Sequence, residues 1–195
     1  MGNTDKFEAI ADRYDTPERV QIARVSADAI RECVVNAEHK DAIDFGCGTG
    51  LVGINLLNDF KSILFLDTSQ SMLNQIQHKI QNARTLCFDF ERDNLSDLHA
   101  DYIFMVQVLL HIEDFESVLI KLYNVLNPGG HLIIIDFDKN NEVVSDMVHN
   151  GFDQGELKKI MFNLGYWNIA SRTFYSGANI FMGRDASLFI LDSQK

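Results

Sequence analysis

Chemistry in this sequence gathers at three points. The first is Asp44-Phe45-Gly46-Cys47-Gly48-Thr49-Gly50, which leaves a short apolar run and enters a helical segment. Glycine has no Cβ and tolerates positive φ, so a ligand can approach such a turn closely, and its backbone N–H groups are expected to favour an anionic ligand group. The second is Asp67, which closes the next apolar run in Phe65-Leu66-Asp67-Thr68. An ionised short carboxylate fixed at a strand tip can accept two neighbouring hydroxyls at once. The third is His111, whose imidazole, with an unperturbed pKa of about 6.5, could take up a proton near neutrality. Its alternative role is to orient its loop. Asp136, Asp138 and Glu142 are spaced unlike a dedicated calcium loop, and Cys33, Cys47 and Cys87 contain no CxxC pair, so no metal is expected.

These residues need strands that end together. Asp15 or Thr16 can cap a helix with Pro17 in its first turn, whose face carries Ile22, Val25, Ala29 and Cys33. A strand over 41–45, the glycine turn and a helix carrying Leu51, Ile54, Leu56 and Leu57 follow. The unit then repeats in kind. Ile63 to Leu66 reads as a strand, and Thr68 or Ser69 caps a helix with Met72, Leu73, Ile76 and Ile80 inside. Thr85 to Phe88 and Tyr102 to Val106 read as strands. Asp114 opens a helix carrying Phe115, Val118, Leu119, Leu122 and Val125, which Asn127-Pro128-Gly129-Gly130 closes. Leu132 to Ile135 is a fifth strand. Apolar strands alternating with helices imply a sheet covered on both faces, mostly parallel and doubly wound. The end of the chain differs. A helix near Gln154 to Leu164 precedes Tyr166 to Phe174 and Ser187 to Leu191, which lack a crossover helix between them and so are expected to pair antiparallel.

Size and charge limit the function. A chain of 195 residues fits one domain, 1–195, and its formal charge of −11 does not suit a nucleic-acid partner, which needs clustered Lys and Arg. The apolar runs are strand-length, so no membrane partner is expected, and the three cysteines suit a reducing cytoplasm. A monomer or a homodimer fits equally.

The motif Asp44-Phe45-Gly46-Cys47-Gly48-Thr49-Gly50 resembles the first motif of the class I S-adenosylmethionine-dependent methyltransferases, D/E-x-G-x-G-x-G, at every constrained position, and the resemblance runs from about Phe7 to about Leu191. It implies an α/β, Rossmann-like, doubly wound and mostly parallel seven-stranded sheet with the last strand antiparallel. It also implies that S-adenosyl-L-methionine is the cofactor and a small molecule the methyl acceptor. Asp44, Gly46, Cys47, Gly48 and Gly50 would form the floor under the methionine part. Asp67 would hold the ribose, with Thr68 beside it and Met72 against the adenine. Asp89 would accept from the adenine amino group, with Phe90 beside the ring. Met105, Val106 and Gln107 would border the methionine part, and His111 could act as base. Phe7-Glu8-Ala9-Ile10-Ala11-Asp12-Arg13-Tyr14-Asp15 resembles the family's opening, so 1–36 would form a lid and helix region with Tyr14 over the cofactor, where it is a second candidate catalytic residue beside His111. Acceptor choice is expected in 136–153, where Asp136, Asp138, His149 and Phe152 could face the acceptor, with a contribution from 177–184.

Two other classes share parts of this pattern. Gly48-Thr49-Gly50-Leu51-Val52-Gly53 also satisfies GxGxxG, so a nicotinamide-dependent oxidoreductase is one rival; binding of S-adenosylhomocysteine without NADH binding separates the two. The other is a cofactor-binding sensor or assembly protein without turnover, which a panel of acceptors separates.

Overall fold

The computed structural model describes residues 4–89, 93 and 97–195. Helices start where a side chain can accept an otherwise orphaned N–H. After a short helix α1 (Thr4–Ile10), Thr16 Oγ1 accepts Arg19 N–H at 3.3 Å and opens α2 (Pro17–Cys33). The choices left open between adjacent capping residues therefore fall on Thr16 and, for α4 (Gln70–Lys79), on Ser69, whose Oγ accepts Met72 N–H at 3.2 Å. Asp114 and Asp153 do the same for α5 (Phe115–Val125) and α6 (Gln154–Asn163). The helix α3 after the glycine turn is short (Leu51–Asn55).

The strands are β1 (Asp41–Phe45), β2 (Ser62–Asp67), β3 (Arg84–Cys87), β4 (Ala100–Val106), β5 (Leu126–Phe137), β6 (Trp167–Phe181) and β7 (Arg184–Gln194). They form one seven-stranded sheet in the order β3-β2-β1-β4-β5-β7-β6. β1 to β5 pair in parallel, and β7 runs antiparallel to both β5 and β6. This is the doubly wound sheet with one reversed strand that the sequence implied. The central strands carry apolar side chains to both faces: Ile103, Phe104, Ile133, Ile134 and Ile135 have no exposed area. Such burial on two faces is what near-continuous apolar runs encode.

The last strands are longer than the sequence suggests. β6 and β7 run on to a two-residue turn at Met182 (φ 51°) and Gly183 (φ 75°), so 177–184 is mostly strand and not a loop over a pocket. Positive φ at both positions matches the twist of a tight hairpin. β5 also starts earlier: α5 ends at Val125, and 127–130 runs beside the chain's last residue, with Gly129 N–H donating to Lys195 O and Lys195 N–H to Gly130 O. Among the described residues no helix is long and apolar enough to cross a membrane, and no group of three or more His, Cys, Asp or Glu could hold a metal ion.

Candidate functional site

Parallel pairing brings the carboxyl ends of β1, β2 and β4 to one edge of the sheet, the edge where open α/β sheets bind ligands. A cavity lies there. Its floor is the turn after β1, with Gly46, Cys47, Gly48 and Thr49 in the lining.

The three glycines of the motif do different work. A Cβ on Gly46 (φ 67°) would stand 2.6 Å from Val108 Cγ2, and one on Gly50 (φ 77°) would stand 2.9 Å from Ile76 Cγ1, so both are required by close packing. Gly48 (φ 54°) faces open space: among the described residues only Tyr14 Cε1, at 3.8 Å, lies within 4 Å of where its Cβ would be. A bound molecule can therefore reach backbone at Gly48.

The turn is not an anion cradle. Gly46 and Cys47 N–H both donate to Leu66 O, at 2.7 and 3.1 Å, and Gly50 N–H donates to Cys47 O at 2.8 Å. Gly48 N–H donates to Asp67 Oδ2 at 2.8 Å. With these amides satisfied inside the protein, the turn supplies shape, and the expectation of an anion held by its N–H groups is corrected. The positive group in the lining is Arg19, in the first turn of α2. Its guanidinium stacks over the Tyr14 ring at 4.0 Å and donates to Tyr14 O at 2.8 Å. Among the described residues no carboxylate pairs with Arg19.

Asp67 stands at the tip of β2 in the cavity wall, its second oxygen accepting Ser69 N–H at 2.9 Å. Burial raises its pKa, while the Ser69 and Gly48 amides pull it back down. The Thr68 amide acts on it in the same sense, and a carboxylate with about four acceptor sites has capacity left for a further donor. Thr68 and Met72 follow Asp67 along the same wall.

The N-terminal segment covers the floor. Phe7 of α1 and Tyr14 both line the cavity, their rings edge to face at 6.3 Å, and burial pushes the Tyr14 phenol up, keeping it neutral. The segment is tied at both ends. Ser71 N–H, in the first turn of α4, donates to Glu8 Oε1 at 3.3 Å. At the other end Thr49 Oγ1 donates to Asp15, and Lys79 Nζ donates to Asp15 Oδ2 at 2.6 Å and to Thr49 O at 2.8 Å. Opposite, the chain leaving β4 gives Val106, Gln107, Val108, His111 and Ile112 to the lining, with His111 edge-on to Phe7 at 5.5 Å.

The structure thus brings together Tyr14, Gly46, Cys47, Gly48, Asp67, Thr68, Met72, Val106, Gln107 and His111. Asp44, Gly50, Met105 and Asp89 are not in the lining. Asp44 is buried behind the turn, accepts Gly53 N–H at 3.0 Å and has its pKa pushed up to about 8 by burial. Met105 has no exposed area, and the Asp89 N–H donates to Asp93 Oδ2 at 2.8 Å. Phe90 lies outside the described residues. Asp136 is fully buried, Asp138 accepts from Gln154 and Thr173, and His149 and Phe152 pack with Phe115, so none of these four faces the cavity. Sequence reasoning missed Phe7 as a lining residue, and it missed Arg19 altogether, although Arg19 follows the Tyr14-Asp15 pair by one helical turn.

Comparison with known proteins gives a consistent picture. The sequence pattern of a family described as a methyltransferase domain matches residues 43–132. An uncharacterised methyltransferase of Mycobacterium tuberculosis is 28% identical over 117 residues, 59% of this chain and 59% of that protein. A malonyl-[acyl-carrier protein] O-methyltransferase of Calditerrivibrio nitroreducens is 28% identical over 154 residues, 72% of this chain and 56% of that protein. The chain thus spans less than two thirds of the length of these relatives. Among solved structures, a Thermotoga maritima S-adenosylmethionine-dependent methyltransferase, a possible histamine N-methyltransferase, superposes with a TM-score of 0.73 at 18% identity, covering 98% of this chain and 99% of its own.

Proposed function

Because the chain belongs to the class I S-adenosylmethionine-dependent methyltransferases, we propose that it moves a methyl group from S-adenosylmethionine to a small-molecule acceptor in the cavity at the edge of β1, β2 and β4. The observation that carries this reading is the open face of Gly48 between the Asp67 carboxylate and the Tyr14 ring.

The residues present fit the cofactor. A Cβ at Gly48 would enter the cavity and not the protein, so that face suits a ligand in contact with backbone. Asp67 has acceptor capacity left for ribose hydroxyls, and Met72 offers a soft apolar surface to a purine. Arg19, without a carboxylate partner among the described residues, suits the carboxylate of the methionine part. The nicotinamide reading of the Gly48–Gly53 run is not favoured, because the relatives and the solved structure named above are methyltransferases.

When bound, the cofactor supplies an electrophilic methyl group on a sulfonium. The chain's part is to align an acceptor with it and keep water out. Phe7 and Tyr14 cover the site as the lid part of 1–36, within a single domain of 1–195. His111 accepts the proton that an O–H or N–H acceptor releases.

Calorimetry with S-adenosylhomocysteine tests the site, and methyl release to a panel of small acids, amines and phenols tests the activity. Binding that Asp67→Ala weakens by tenfold or more, with turnover of at least one acceptor, is the expected result. No heat with either S-adenosylmethionine or S-adenosylhomocysteine overturns the reading.

A further inference from the structure

The β5–α6 connection contributes nothing to the cavity lining, yet it and the tip of β5 hold the backbone that does. Between Val108 and Ile112 the chain makes a 3-10 turn over Leu109–His111. Leu110, in the middle of that turn, has both of its peptide groups taken by other elements. Its N–H donates to Asp136 Oδ2 at 3.1 Å, and its carbonyl accepts His149 N–H at 2.9 Å.

Each partner is itself fixed. Asp136 has no exposed area, and its other oxygen accepts Phe137 N–H at 2.8 Å. The His149 ring makes a second bond to the same turn, Nε2–H donating to Ile112 O at 2.9 Å, which assigns the proton to Nε2. Phe115 stands edge-on to that ring at 5.6 Å, and Phe152 lies tilted against it at 5.5 Å. Upstream, Gln107 (φ 56°) donates its N–H to Ile135 O at 2.8 Å. The turn therefore hangs from the tip of β5 on one side and from His149 on the other, and His111 and Ile112 enter the cavity from it.

We propose that Asp136 and His149 are positioning residues for the acceptor side of the site, setting where His111 and Ile112 stand, so that the β5–α6 connection governs acceptor handling through the turn's backbone and not by touching the acceptor. The physical reason is polar satisfaction in a dry place. Remove either clamp and a peptide group of the turn loses its partner, so the turn must shift to find another. His111 is the next residue, and alignment at a reacting centre is sensitive to displacements of about an ångström. The proposal rests on the methyltransferase reading only for what His111 and Ile112 act upon; the clamp is independent of it.

The test uses the full chain with 13Cε1-labelled histidine, no ligand, and the variants His149→Ala, His149→Gln and Asp136→Asn. His149→Ala is expected to move the His111 Cε1–H resonance while those of the exposed His39 and His78 stay in place. His149→Gln, whose side-chain amide can donate to Ile112 O, is expected to return it. Asp136→Asn is expected to speed Leu110 amide exchange about tenfold, the loss of one hydrogen bond. S-adenosylhomocysteine affinity is expected to stay within about threefold in all three, because Asp67 and Gly48 lie on the other wall. A His111 resonance unmoved by His149→Ala, even with a lowered melting temperature, overturns the proposal, as does a displacement that Gln does not reverse. Should His149→Ala not fold, Asp136→Asn decides on the same resonance. If the wild-type protein binds no S-adenosylhomocysteine, the methyltransferase reading fails, but the resonance still decides the clamp.

Discussion

The Asp67 carboxylate accepts the Gly48 N–H at 2.8 Å, so the tip of β2 holds the glycine turn of β1 at the point where that turn faces the cavity. One oxygen shapes the floor while the other, on Ser69 N–H, fixes the start of α4. Replacing Asp67 thus has two effects. Asp67→Ala leaves two backbone donors without a partner and removes the acceptor for a ribose, a loss of about 1.5–3 kcal/mol for hydrogen bonds to a charged group. Calorimetry with S-adenosylhomocysteine should show affinity falling by tenfold or more. Asp67→Asn, which retains one acceptor oxygen, should bind more tightly than Asp67→Ala.

Gly46 and Gly48 should respond differently to alanine. At Gly48 the new methyl meets only Tyr14 Cε1 at 3.8 Å, so folding bears little more than the left-handed backbone penalty of about 1–2 kcal/mol. The methyl occupies ligand space, however, and binding should suffer more than stability. At Gly46 the methyl would stand 2.6 Å from Val108 Cγ2, in a β-branched side chain with little freedom to move. Gly46→Ala should therefore lower the melting temperature clearly more than Gly48→Ala. Equal melting temperatures would contradict this division of roles.

How far the sequence carries depends on how local the physics is. The helices α2, α4 and α5 were legible because a capping side chain and a 3.6-residue apolar period sit in one short window, as at Ser69 to Ile76. The seven-stranded sheet and its reversed strand followed from the motif's family resemblance and from the missing crossover after Phe174, whereas the strand order is seen only in the structure. The full length of β6 and β7 was not legible, because their ladder depends on partners far away in sequence, and the turn at Met182-Gly183 carries no Asn-Gly signal. The site divides in the same way. Asp67 lies at a strand tip and Gly48 in the turn just beyond one, and both line the cavity. Asp44 stands one residue before the end of a strand, but its carboxylate points behind the turn to Gly53, and a sequence does not say which way such an acid turns. Arg19 was missed because the position of a helix relative to the sheet edge is a tertiary fact.

Asp44 and Asp136 should each contribute less to stability as pH rises above about 4. Burial pushes the Asp44 carboxyl from 3.8 up to about 8 and the Asp136 carboxyl from 3.8 up to about 7. Between 3.8 and those values the unfolded chain releases a proton that the folded chain keeps, so each group favours folding at low pH and loses that contribution as pH climbs through its folded value. The slope is about 1.4 kcal/mol per pH unit for each proton retained. Asp44→Asn keeps an oxygen for Gly53 N–H and removes the titration. Urea denaturation should show the variant losing less stability than wild type between pH 5 and 8, and parallel declines would mean that Asp44 is ionised in the folded protein.

The tie between Asp15 and Lys79 should matter more to ligand release than to folding. The two side chains are 29% and 31% exposed, and an ion pair so open to solvent is worth at most about 1 kcal/mol. Its position gives it a second consequence. Lys79 Nζ also donates to Thr49 O, and Thr49 Oγ1 to Asp15, so this cluster joins the end of the Tyr14 segment to the cavity floor. Lys79→Met keeps the apolar stem and removes the charge. Its melting temperature should stay close to that of wild type, while a loosened segment over Gly48 lets S-adenosylhomocysteine dissociate about threefold to fivefold faster, the most that a pair energy of about 1 kcal/mol felt in the bound state allows. Surface plasmon resonance on the immobilised protein measures this directly. An unchanged dissociation rate would mean that Phe7, Tyr14 and the Glu8 contact with α4 hold the cover in place without the latch.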